Sequence, residues 1–179
     1  SFPTRRSSDL NVVITDPPYG VGVAEFGDSG RAALAHQYSE EDFEELHMVL
    51  VSHLSRICSS SAHVYIFCDF DYFHRLFALI STQEGWRVRR RPLIWWKGNT
   101  GNLADGSSQG YRSSYECILY ASRGVRPCSK VVSDVIQFPM VKNKIHAAQK
   151  PTELYQFLME MSSVPGDTVL DAFAGSGTI

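Results

Sequence analysis

Apolar residues recur along this chain with two different periods, and the period switches repeatedly. Asn11–Thr15 (NVVIT) is a short apolar run that predicts a buried strand delivering Asp16. Pro17 to about Gln37 contains glycines and no period, which predicts a loop over a site. From Ser39 the spacing becomes helical. Phe43, Leu46, Val49, Leu50, Leu54 and Ile57 share one face, behind Ser39 as N-cap and acids in the first turn. HVYIF (63–67) predicts a second strand, and Asp69 caps a helix bearing Phe73, Leu76, Phe77 and Ile80 that Gly85 ends. WRVRRRPLIWWK (86–97) and SYECILYAS (114–122) predict further strands around a polar loop, Gly98–Gln109. Residues 124–146 are irregular and basic, with a strand expected within 131–137. Pro151 opens a helix carrying Leu154, Phe157, Leu158 and Met161, and DTVLDAFAGSG runs from strand into glycine turn. Strands alternating with helices, without repeats or a linker, predict an α/β sheet covered on both faces.

Composition adds bounds. At 179 residues the chain is one domain or most of one, and 44% hydrophobic content fits an ordinary globular protein. No apolar run approaches the roughly 20 residues that span a bilayer. The four cysteines have no zinc-like spacing and the six histidines do not cluster with acids, so no metal is expected and a cytoplasmic location is the default. The net charge of −2 conceals an asymmetry: Gly85–Lys150 holds twelve Lys/Arg against three Asp/Glu, the rest five against sixteen. A basic middle third suggests a polyanion-binding face, although a solvated strand surface would read the same way. Residues 1–10 (SFPTRRSSDL) match the conceptual translation of a short-read sequencing adapter, whose end TCT TCC GAT CT reads Ser-Ser-Asp-Leu. They are expected not to belong to the native protein, and a chain cut at both ends is expected.

Two strand ends carry the candidate chemistry. In DAFAGSGT (171–178), glycines at 175 and 177 permit positive φ and close approach of a ligand to backbone, the arrangement by which open α/β sheets hold nucleotide-like cofactors. In ITDPPYG (14–20), Asp16 and Pro17 each precede a proline and are held extended. Neither proline has an N–H. The Asp16 carboxylate and the Pro17 carbonyl can therefore both accept from an exocyclic amine, drawing its nitrogen out of plane and freeing the lone pair. Tyr19 offers a ring for base stacking, worth roughly 1–3 kcal/mol.

DPPY followed at a distance by FAGSGT resembles the amino-directed DNA methyltransferases, which use S-adenosylmethionine to methylate adenine at N6 or cytosine at N4. Catalytic motif first and cofactor motif last resembles their β subgroup. HAAQKPTEL (146–154), LIWWKGN and YECILYAS are similar to its intervening segments, so the likeness covers 11–179. It implies a Rossmann-like methyltransferase sheet, α/β and mixed, but incomplete. Two strands of a seven-stranded sheet and the ribose-binding acid are expected beyond the cofactor motif, so weak cofactor binding by these 179 residues is expected. By position, Asp16, Pro17, Pro18 and Tyr19 become the catalytic set. Asp171, Phe173, Gly175, Ser176, Gly177 and Thr178 line the cofactor pocket, with Lys150 closing it. The resemblance implies double-stranded DNA as partner, a flipped target base and the setting of a cognate restriction endonuclease. It also implies a short target-recognition region near 124–145, with Arg126, Lys130, Lys142 and Lys144 as DNA contacts.

Asp at the first motif position resembles adenine enzymes; cytosine-N4 enzymes more often carry Ser there. Cytosine-N4 transfer and a catalytically idle DNA-binding fragment stay open as alternatives. A nicotinamide oxidoreductase has no use for DPPY, and protein-glutamine methylation goes with the opposite motif order. Bland readings stand beside several residues: a solvated strand face for Arg87, Arg89, Arg90 and Arg91, and core or edge packing for Trp86, Trp95 and Trp96.

Overall fold

The computed structural model describes residues 9–18, 40–99, 110–142, 149–175 and 177, without the side chains of Glu40 and Phe43. Among them are β1 (Leu10–Thr15), α1 (Glu40–Ile57), β2 (Cys58–Cys68), α2 (Phe70–Ser81), β3 (Trp86–Val88), β4 (Leu93–Trp96), β5 (Tyr115–Arg123), β6 (Val135–Gln137), α3 (Thr152–Ser162) and β7 (Val169–Leu170). Residues 19–37 of the expected loop, most of the polar loop after Gly98, and the Ser39 cap lie outside the described residues.

The sheet runs β6-β4-β5-β2-β1-β7, with β3 attached to β5 off that path. β1 is parallel to β2 and β7, and β4 is parallel to β6, while β5 runs antiparallel to β2, β3 and β4. Seven strands are thus present among the described residues, but β3 and β4 share one edge of β5, opposite Ala121–Arg123 and Tyr115–Ile118. Residues 86–97, expected as mostly strand, break between Val88 and Leu93. Pro92 has no N–H for a ladder, although Arg89 N still donates to Tyr120 O at 2.9 Å. The strand expected within 131–137 shrinks to Val135–Gln137.

Parity divides the core into two layers. Val13, Val64, Ile66, Cys68, Cys117, Leu119 and Ala121 pack with α1 and α2. Val12, Ile14, Tyr65, Phe67, Trp95 and Ile118 pack with Leu154, Tyr155 and Leu158 of α3. Alternating side chains of one strand must face opposite sides, so a sheet apolar on both faces requires helices on both. α2 begins where expected: Asp69 accepts from Asp71 N at 3.2 Å, a cap worth about 1 kcal/mol. On α1 the buried stripe is rotated from the expected one, running through His47, Leu50, Val51 and Leu54, while Val49 is 46% exposed. Among the described residues no helix is long and apolar enough to cross a membrane.

The reversed strand has a consequence for chemistry. Because β5 runs against its neighbours, its first residues lie at the edge where β1, β2, β4 and β7 finish. Asp16, Asp69, Lys97, Glu116 and Asp171 therefore collect at one edge of the sheet.

Candidate active site

β1 ends by presenting Asp16, followed by buried Pro17 and half-buried Pro18. Asp16 shares the parity of Ile14, so it points to the α3 side, where Lys150 stands just before α3. The Lys150 ammonium donates to Asp16 Oδ2 and lies 3.3 Å from Glu116 Oε2. The other oxygen of Glu116 accepts from Lys97 Nζ at 2.8 Å. The four side chains are 3–15% exposed. Burying an ion costs several kcal/mol unless an opposite charge compensates it, and here each ammonium faces a carboxylate. Aromatic faces complete the setting, with Lys150 Nζ 4.7 Å from the Phe67 ring centre and Lys97 Nζ 5.5 Å from that of Trp95.

Burial by itself would lower the pKa of Lys150. The Asp16 and Glu116 carboxylates outweigh it and raise the value above that of an ordinary lysine, so the group is cationic at neutral pH. Burial raises the Tyr155 phenol nearby against the pull of Lys150, keeping it neutral.

The glycine turn adjoins this cluster because β7 pairs with β1. Asp171 Oδ1 accepts from Thr15 Oγ1 at 3.2 Å and from Phe173 N at 3.0 Å, joining the two strand ends through one carboxylate. Gly175 and Gly177 have φ of 50° and 71°, values that favour glycine. Gly177 N closes the turn on Ala174 O at 2.7 Å. An apolar groove of about 270 Å³ between α1 and β7, lined by Leu50, Leu54, Leu170 and Phe173, opens on the other side of the sheet from Lys150.

Several of the expected site residues fall outside the described residues, and others have partners within the chain. Tyr19, Ser176, Thr178 and Lys144 are not among the described residues. Lys150, expected to close the cofactor pocket, ends on Asp16, where its buried ammonium meets a carboxylate. Arg126, expected on DNA, is turned inward. It pairs with Asp167, and its Nε donates to Ser162 O at 2.8 Å, an end carbonyl of α3 that the helix leaves unsatisfied. Lys130 and Lys142 are exposed, and Lys130 Nζ sits 5.7 Å from the Phe157 ring centre. Part of the basic middle third also bonds within the chain: Arg123 donates to Ser55 O and Cys58 O, and the exposed Arg89 pairs with Asp134 at 2.8 Å. Trp86 and Trp95 are buried, whereas Trp96 is exposed.

Glu116 and Lys97 were not anticipated from the sequence. The signal was available: Glu116 has the inward parity of Ile118, and Lys97 that of Trp95, positions where a charge needs a buried partner.

The family model for DNA methylases of the N6/N4 type matches residues 10–144 and 132–179. The chain belongs to the N6/N4 DNA methylases. Among curated relatives of the chain, the type II methyltransferase M.HpaI of Haemophilus parainfluenzae is 26% identical over 203 residues. That alignment takes in 97% of this chain and 60% of M.HpaI, so the chain spans less than two thirds of this relative. The fold matches M1.HpyAVI, solved in complex with SAM, with a TM-score of 0.69 and 19% identity over 96% of this chain and 74% of the other. It matches the PvuII DNA methyltransferase, cytosine-N4-specific, with a TM-score of 0.68 and 14% identity over 97% and 70%.

Proposed function

We propose that this methylase transfers a methyl group from S-adenosylmethionine to the exocyclic N6 of an adenine turned out of double-stranded DNA. The observation that carries the reading is the joining of the two strand ends: Asp16 closes β1, and Asp171 closes the adjacent β7 and accepts from Thr15, the residue before Asp16. Left-handed glycines and exposed backbone at Gly175 and Gly177 suit a bulky cofactor there. The cofactor supplies the electrophilic methyl group when bound. Asp171 and the turn through Gly177 hold it, together with Ser176 and Thr178 by motif. Asp16 and the Pro17 carbonyl accept from the target amine, fixing its lone pair toward the methyl group, and Tyr19 stacks the base. An ionised Asp16 also takes the proton that the amine sheds once methylated.

Asp rather than Ser at the first motif position supports adenine. The fold likeness to the cytosine-N4-specific PvuII enzyme supports cytosine N4 as a second reading. The type II designation of M.HpaI supports a restriction–modification setting with a cognate endonuclease. Isotopically labelled S-adenosylmethionine, unmodified DNA and protein comprising this chain test the proposal, with labelled nucleosides identified by mass. Labelled N6-methyladenine that disappears with Asp16→Ala is expected. Labelled N4-methylcytosine would reverse the choice of base, and no labelled base would overturn the reading.

A further inference from the structure

Thr15 is the last residue of β1 and is fully buried, at 0% exposure. Its parity is that of Val13, which packs in the layer between the sheet and α1 and α2. A hydroxyl buried at such a position costs stability unless it is hydrogen-bonded. Its bond goes to Asp171 Oδ1 at 3.2 Å, across 156 positions of chain. The same oxygen accepts from Phe173 N at 3.0 Å. A carboxylate oxygen offers two lone pairs, so these two donors fill Oδ1. They come from different strands' ends, which fixes the plane of the carboxylate and leaves Oδ2 as its remaining acceptor. Among the described residues no hydrogen bond or ion pair reaches Oδ2. Asp171 is half-buried and opens the glycine turn. Phe173 N alone would make a local bond within that turn; the Thr15 hydroxyl is what ties the carboxylate to β1.

We propose that Thr15 is a positioning residue for the cofactor: its hydroxyl, together with Phe173 N, turns Asp171 so that Oδ2 accepts from a donor of S-adenosylmethionine. The proposal rests on the reading of the turn from Asp171 to Gly177 as the cofactor seat. A carboxylate already aimed before the cofactor arrives loses no rotamer freedom on binding, so the gain appears as affinity. Thr15 directly precedes Asp16, so one strand end fixes both the carboxylate that faces the cofactor and the acid read as acceptor of the target amine.

Two substitutions separate the hydroxyl from the packing around it. Thr15→Val removes the donor and keeps the branched shape, whereas Thr15→Ser keeps the donor and removes a methyl group. Affinity is read without turnover, by equilibrium dialysis of labelled S-adenosylmethionine against protein comprising this chain, with thermal unfolding as the control for folding. Thr15→Val is expected to weaken cofactor binding about tenfold, the scale of one charge-assisted hydrogen bond, while Thr15→Ser stays within about twofold of wild type. KM for DNA should be unchanged in both variants, because the lost interaction belongs to cofactor binding alone. In an Asp171→Ala background Thr15→Val should have no further effect on affinity, since a residue that acts through another loses its influence with it. A hydroxyl that merely satisfies itself on Asp171 predicts wild-type affinity and an equal or higher Tm in Thr15→Val. Wild-type affinity in Thr15→Val, equal losses in the Val and Ser variants, or an undiminished effect in the Asp171→Ala background would each overturn the positioning role and leave the cofactor seat intact. A wild-type protein that binds no S-adenosylmethionine would remove both.

Discussion

Replacing Arg126 with Met separates two roles that the sequence leaves merged. The guanidinium and its partner Asp167 are 12% and 11% exposed, and Arg126 also donates to Ser162 O at 2.8 Å and Ser61 O at 3.4 Å. Removing one member of a buried pair costs about 3–5 kcal/mol, and residual solvent contact brings the expected loss nearer about 2–4 kcal/mol. For a chain of this size each kcal/mol lowers Tm by about 2–4 °C, so a fall on the order of 4–16 °C is expected. Met preserves the apolar stem, which isolates the polar loss. Denaturation by heat and urea measures the stability, and fluorescence polarisation with a DNA duplex across salt concentrations measures the interface. A phosphate contact would change the slope of log K against log salt by about 1 on removal. The internal role predicts a lower Tm with the slope unchanged. Wild-type stability with weaker DNA binding and a shallower slope would refute the argument and restore Arg126 as a DNA contact.

Two histidines predict the response to acid. Burial, the largest influence on each, holds His47 and His63 below the ordinary histidine pKa, with the Arg75 and Arg126 charges adding to it. Both are neutral when folded and take a proton near pH 6.5 when unfolded, so the stability is full above about pH 6.5 and falls as pH drops toward their folded values. His63→Gln should flatten urea-midpoint profiles between pH 7 and pH 5; a profile unchanged by substitution at either histidine would refute this. Gly124 has φ of 62°, and a Cβ there would meet Ser60 O at 2.1 Å, so Gly124→Ala should lose roughly 2 kcal/mol or more in urea denaturation. A loss too small to measure would show that the backbones of β2 and the turn after β5 approach less closely than described.

Local pattern was sufficient for what local physics controls. Alternation and helical spacing marked β1, β2, β5, α2 and α3, the Asp69 cap followed from its place before an apolar stripe, and the two strand-end motifs were legible as DPPY and AGSG. These depend on neighbours within a few residues, and the methylase family follows from the same motifs. The partners of the charged groups do not. Asp16 and Lys150 are 134 positions apart, and Arg126 and Asp167 are 41 apart. Parity tells which face a side chain takes, but not which residue stands across from it. That is decided by strand order and direction, above all by β5 running against its neighbours and carrying Glu116 to the edge where Asp16 and Lys97 emerge. A basic stretch likewise shows how many cations are present, while only the packed chain decides that Arg126 closes the end of α3 and Lys130 faces solvent. The sequence by itself determined the chemistry that could be assembled; the tertiary structure decided which charges meet, because burial forces each ion onto whatever opposite charge the topology brings within reach.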